Sequence, residues 1–152
     1  MVYAVIVVAL FAGDFFLKKY VDKKITKEDR KEVCNGKIVI RKYYNKGAAL
    51  NFLENSPKVL RAVCGGMLLL LGIVWYLLFR NKQNPGILLG ISLILGGGAS
   101  NMYDRITKGY VVDYFSFKTP WERVNRVVFN ISDMFIFLGG ILMIIFGSRK
   151  VV

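Results

Sequence analysis

Val127-Val128-Phe129-Asn130-Ile131-Ser132-Asp133-Met134-Phe135-Ile136-Phe137-Leu138-Gly139-Gly140-Ile141-Leu142-Met143-Ile144-Ile145-Phe146 carries one charge, Asp133, in an otherwise apolar and small-polar run. A helix needs about 20 predominantly apolar residues to cross the hydrocarbon core of a bilayer, with a range of about 17–25. Working upstream, Gly86 to Tyr103 and Ala62 to Phe79 carry no charge, and Val2 to Leu17 is broken only by Asp14. These four runs read as transmembrane helices over about 2–19, 62–79, 86–103 and 127–146. Composition agrees: counting Gly and leaving out Tyr, about 60% of the 152 residues are apolar, against ~45–50% in globular chains. The first run lacks a basic n-region and a small-x-small cleavage site, and it ends in Asp14-Phe15-Phe16-Leu17-Lys18-Lys19, so it reads as a retained helix rather than a cleaved signal.

The connections differ in kind. Arg80 to Pro85 is a tight turn, with Pro85 suited to the first turn of the next helix. Residues 20–61 form a long loop in which Asn35-Gly36 precedes the β-rich Lys37-Ile38-Val39-Ile40-Arg41-Lys42-Tyr43-Tyr44, a strong hairpin signal. The third connection, 105–126, holds Gly109 to Tyr114 and then a basic, aromatic stretch with Trp121 that suits an interfacial segment. The fold class expected is a single, mainly α membrane domain over 1–152: four transmembrane helices with a small β-structure between helices 1 and 2. Gly65-Gly66, Gly96-Gly97-Gly98 and Gly139-Gly140 are expected to permit close helix approach. Cys34 and Cys64 read as free thiols packed as small apolar groups.

The chain has no His and two Cys, which excludes a Ser-His-Asp triad, a Cys-His pair and every His-bearing zinc site. Hydrolytic chemistry would fall to carboxylates, hydroxyls or lysines. An ionisable group inside a span is costly and marks function by default. Asp133, six residues into a span beginning at Val127, would lie about 9 Å along its axis. Asn101 and Asp104, and Asn130 and Asp133, stand at i and i+3, each pair on one helical face. Asp113 sits in Tyr110-Val111-Val112-Asp113-Tyr114-Phe115 with no counter-ion beside it in sequence. Two close carboxylates in a low-dielectric site cannot both ionise, so one keeps a proton while the other acts as a base on water. Plainer structural readings stand beside these: an Asp104–Arg105 ion pair, an Asp14–Lys18 pair one helical turn apart, a packing hydrogen bond for Asp133 and an interfacial carboxylate for Asp113. A small transporter relaying protons through Asp113 and Asp133 is a further alternative.

Asn45-Lys46-Gly47-Ala48-Ala49, Gly96-Gly97-Gly98-Ala99-Ser100-Asn101-Met102-Tyr103-Asp104-Arg105, Gly109-Tyr110-Val111-Val112-Asp113-Tyr114 and Phe129-Asn130-Ile131-Ser132-Asp133 resemble, in order and spacing, the blocks of the lipoprotein signal peptidase (signal peptidase II) family. The resemblance implies an aspartic endopeptidase of the bacterial plasma membrane, without cofactor or metal. It would remove the signal peptide of a diacylglyceryl-modified prolipoprotein by cutting before the lipidated Cys. It further implies that Asp113 and Asp133 are the catalytic dyad. Asn45, Gly47, Asn101, Asp104, Arg105 and Asn130 would bind substrate or shape the site, and Asp14 and Lys18 would be structural polar contacts. The 20–61 loop would be the β-cradle on the outer face, and the segment near Phe115 to Arg126 a flap. Departures are Ser100 where members usually have Gly, Ser132 where they have Ala, Leu50 where they have an aromatic, and Tyr114 in a common Phe position.

The formal charge is +12, from 22 Lys+Arg against 10 Asp+Glu. Four of the basic residues, Arg80, Lys82, Arg149 and Lys150, fall on the side of the two termini, and the other eighteen on the opposite side. The positive-inside rule would place those eighteen in the cytoplasm, whereas the resemblance places the termini there and the active site near the outer face. Anionic headgroups attract Lys and Arg at about 1 kcal/mol each, which gives the basic face a membrane partner. A monomer is expected, with no nucleic acid partner.

Overall fold

A computed structural model describes residues 1–48, 52–81 and 84–148. Ala49, Leu50, Lys82, Arg149 and Lys150, which enter the sequence reading, lie outside the described residues. The elements in order are α1 (Val2–Lys24), β1 (Lys31–Val33), β2 (Ile38–Asn45), α2 (Pro57–Arg80), α3 (Pro85–Thr107), β3 (Val111–Phe117), α4 (Glu122–Arg126) and α5 (Ile131–Gly147).

Proline starts two of the helices, at positions where the missing N–H would go unpaired in any case. At α3 the Asn84 side chain caps the helix by accepting from the Gly86 amide at 2.9 Å, and its own amide donates to the Phe146 carbonyl at 3.3 Å. That second bond ties the start of α3 to the end of α5. The two helices pack backbone to backbone: a Cβ on Gly139 would fall 2.5 Å from the Gly90 carbonyl oxygen, and one on Gly97 would fall 2.6 Å from that of Ser132. Gly96 lets α1 approach α3 in the same way, whereas Gly66 and Gly140 face open space. The expected close approach therefore holds for part of the glycine set only.

α2 and α3 are long and apolar enough to cross a membrane. α5 is apolar but has 17 residues, and α1 carries Asp14 within its apolar stretch and Lys18 and Lys19 directly after it. α5 is shorter than the 127–146 run suggested because residues 127–130 are extended. Phe129 pairs with Phe115, exchanging backbone bonds of 2.7 and 3.0 Å, and Asn130 then caps the helix.

The expected hairpin forms. Lys37 N–H bonds the Cys34 carbonyl at 3.2 Å around Asn35 and Gly36, which both hold positive φ. Such a turn matches the twist of the flanking strands. Cys34 is exposed in it rather than packed; Cys64 is half-buried on α2, and both thiols are free. Part of the third connection is strand instead of interfacial loop: β3 pairs antiparallel with β2, giving the order β1-β2-β3. One face of β2 and β3 packs Tyr44, Val112 and Tyr114 against Val21 of α1. The opposite face carries Asp113.

Candidate active site

Alternation along β3 decides where Asp113 points. With Val112 and Tyr114 committed to the α1 side, Asp113 lies on the other face, yet it is only 1% exposed. Tyr43 stands opposite Asp113 in the register, so Asn45, two residues on, is a diagonal neighbour on the same face. Its amide donates to Asp113 Oδ2 at 3.0 Å, while its Oδ1 accepts from the Gly47 amide at 3.0 Å and is thereby oriented.

Asn130 links this strand to α5. Its side-chain amide donates to Asp113 Oδ1 at 2.6 Å, and its Oδ1 accepts from the Asp133 amide at 3.0 Å. Asp133 Oδ2 accepts in return from the Asn130 backbone at 3.0 Å, completing a capping box. Asn130 thus bonds both carboxylates. Asp133 is the third residue of α5 and half-buried, which corrects the expectation of a carboxylate about 9 Å inside a span: the helix begins at Ile131, not Val127.

Asp133 Oδ1 accepts from Asn101 Nδ2 at 2.9 Å. The orientation of Asn101 is set by Lys18, whose ammonium donates to its Oδ1 at 2.6 Å. Lys18 also meets Asp14 at 2.7 Å and Ser100 Oγ at 3.2 Å, and lies 3.6 Å from Asp104. Burying an ion is tolerable only where its partners are this complete. Asp14 is just as fully satisfied: Ser100, Ser132 and Tyr114 hydroxyls donate to it at 2.6, 2.5 and 3.1 Å. The positions Ser100, Ser132 and Tyr114, noted above as departures, therefore converge on one buried carboxylate. In sequence the cluster was signalled by the Asp14–Lys18 spacing, while the convergence of these hydroxyls on Asp14 was not.

Asp104 and Arg105 do not pair with each other, contrary to one structural reading of their adjacency. Asp104 meets Lys108 at 2.9 Å and accepts from the Val112 amide at 3.2 Å, which fixes the start of β3 beside the end of α3. Arg105 Nη2 donates to the Gly47 carbonyl at 3.0 Å, holding the turn after β2, and its buried Nε has no protein partner among the described residues. All the sequence-selected residues from Asp14 to Asp133 thus belong to one connected polar system at the junction of α1, α3, α5 and the sheet.

Asp113 and Asp133 differ in setting. Burial, and then the charge on Asp133, push the Asp113 carboxyl up to about 7. Burial likewise raises the Tyr114 phenol, with Asp14 adding to the effect, so Tyr114 stays a donor. Two carboxylates that share one proton can take a proton from water and return one to a leaving group.

Compared with known proteins, residues 6–148 match the family model described as Signal peptidase (SPase) II. The chain belongs to the signal peptidase II family. It is accordingly an aspartic endopeptidase. Among the most similar relatives is a lipoprotein signal peptidase of Streptococcus pneumoniae, 28% identical over 93% of this chain and 89% of that one. The corresponding enzymes of Clostridioides difficile and Cupriavidus necator are 32% and 33% identical, over 96% and 99% of this chain and 94% and 83% of theirs. Two solved structures described as bacterial membrane enzymes each superpose with a TM-score of 0.83. They are 24% and 25% identical, covering 98% of this chain and 92% and 94% of their own. The likeness to these structures spans the residues of the small sheet as well as those of the helices.

Proposed function

We propose that this member of the family removes the signal peptide from diacylglyceryl-modified prolipoproteins, cutting before the lipidated Cys, with Asp113 and Asp133 as the catalytic dyad. The observation that carries the reading is Asn130, which bonds both carboxylates at once and so couples β3 to the first turn of α5. In this mechanism the ionised member of the pair deprotonates a water, which attacks the scissile carbonyl. The protonated member donates a hydrogen bond to that carbonyl, and the proton taken from water passes to the leaving amine. No metal or cofactor has a part in it. Asn45 and Asn101 hold the two carboxylates in place. Arg105 and Gly47 shape the wall on the β2 side, and Asp104 fixes β3. Asp14 and Lys18 are the structural base of the site.

The membrane arrangement proposed with it is a single domain with four spans, α1, α2, α3 and α5, in the bacterial plasma membrane. Termini are cytoplasmic, and the sheet and α4 lie on the outer face. α1 supports this despite its charges, because Asp14 and Lys18 pair within the bundle and are each 1% exposed. Exposed apolar side chains along α2, such as Leu69 at 69% and Leu70 at 62%, would face lipid. The protein acts as a monomer, its substrate entering laterally from the bilayer. Cleavage in membranes of one prolipoprotein with and without its diacylglyceryl group tests the substrate class. The expected product retains the lipidated Cys at its N-terminus, with the unmodified form left uncut. Equal cleavage of both forms would contradict the assignment.

A further inference from the structure

β2 carries a second polar feature away from the carboxylates. Between Ile40↔Phe115 and Tyr43↔Asp113 the register slips by one residue, so Arg41 and Lys42 together oppose Tyr114 alone. A bulge of this kind bends the strand and re-aims its side chains. Here they enter the wall of an open surface cavity of about 380 Å³, lined also by Lys27, Arg30, Tyr44 and Arg126. Five cations line it, and no carboxylate is part of its lining among the described residues.

Of the nearby acids, Glu28 is exposed and outside the lining, and the others are already engaged. Asp22 Oδ1 accepts from the Tyr44 hydroxyl at 2.7 Å and lies 3.9 Å from Lys42 Nζ. Asp29 accepts from the Thr26 amide at 2.7 Å, and Glu32 pairs with Lys118 at 2.7 Å. Glu122 reaches Arg126 at 3.4 Å. Among the described residues, Lys27 and Arg30 have no carboxylate within ion-pair distance. Arg41 is seated by its Nη2 on the carbonyls of Asn125 and Arg126 at 2.9 and 3.3 Å, and its buried Nε has no partner. The Lys42 side chain is nine-tenths buried and donates to the Asp22 carbonyl at 3.0 Å. Burial and then the neighbouring Arg30 hold the Arg41 guanidinium below its ordinary value.

The geometry points to a binding site for the phosphate of an anionic glycerophospholipid in this cavity. Guanidinium forks and clustered ammonium groups are the usual recognition elements for phosphate. A lipid is the source because the cavity lies just beyond the apolar stretch of α1, beside Tyr43 and within the same outer segment as Trp121. These side chains are 40% and 71% exposed, as in an interfacial aromatic belt. The bound headgroup would join the segment between α1 and β1, the bulge of β2 and the last residue of α4. Arg126 is four residues before Asn130, so the lipid would also steady the approach to the dyad. The assignment rests on the membrane placement proposed above and not on the chemistry of Asp113 and Asp133.

Native mass spectrometry of the full chain in neutral detergent tests it, with dioleoylphosphatidylglycerol, dioleoylphosphatidylcholine and inorganic phosphate as probes. One phosphatidylglycerol should be retained in preference to phosphatidylcholine. Arg30→Gln should weaken it about fivefold and Lys27→Gln/Arg30→Gln about 25-fold, the factors expected for one and two basic residues near an anionic headgroup. Lys58→Gln, an exposed cation elsewhere on the same side, should leave it unchanged. Both cavity side chains are exposed, so the variants should melt like the wild type. Wild-type affinity in the double variant, or equal retention of the two lipids, would overturn the proposal. Displacement of phosphatidylglycerol by millimolar phosphate would assign the cavity to a free anion and overturn it too. Because cleavage is not read, failure here is distinct from failure of the proposed activity.

Discussion

Burial and the charge on Asp133 hold the Asp113 carboxyl near 7, whereas an unfolded Asp titrates near 3.9. Between those values the folded protein keeps a proton that the unfolded chain has lost. The stabilising contribution is therefore full below about pH 4 and disappears as pH rises through about 7. The melting temperature of the wild type should fall over that window relative to Asp113→Asn, and cleavage by the wild type should decline above about pH 7 as the pair loses its shared proton. Parallel melting curves for the two proteins across pH would contradict the assignment. Asn101, Asp104, Asp113, Asn130 and Asp133, which the structure brings into one polar system, stood out in the sequence as carboxylates and asparagines in apolar runs, whereas Asn45, Gly47 and Arg105 entered through the family resemblance. Their partners were not legible there. Nothing in the adjacency of Asp104 and Arg105 discloses that one holds the Val112 amide and the other the Gly47 carbonyl, since both bonds cross between elements.

At the scale of elements, the start of α5 shows what an apolar run conceals. Val127 to Phe129 suit either a helix or a buried extended segment, and periodicity does not separate the two over so few residues. The choice falls to Asn130, whose side chain caps the helix, and to the pairing of Phe129 with Phe115. β3 escaped notice for a related reason. Its Val111 to Phe117 run is buried almost throughout, without the polar alternation of a half-exposed strand. The contact of α3 with α5 was better marked, because paired glycines admit close backbones. Gly139→Val would push a side chain into the Gly90 carbonyl and Ile94. It should lower stability by about 1–3 kcal/mol, read as an earlier thermal unfolding transition. Gly140→Val, facing open space, should change it by much less. Equal effects would refute this packing.

For the molecule as a whole, the charge distribution and the family resemblance disagree about orientation, and the basic cavity offers a physical reason. With the proposed placement, cations that bind lipid phosphate would be held at the outer surface by local attraction, which competes with the statistical preference for the cytoplasm. Cys34, exposed in the hairpin turn, is a built-in reporter. An impermeant maleimide added to intact cells should label Cys34, and should not label Asn81→Cys in a Cys34→Ser background. The reverse pattern would invert the topology. The central claim is that the Asp113–Asp133 pair performs the cleavage, and single-turnover processing of a lipid-modified prolipoprotein in membranes tests it most directly. Asp113→Asn and Asp133→Asn, each shown to be folded, should each lose about 10²–10⁴-fold in rate. Near-wild-type cleavage by either variant would contradict the account.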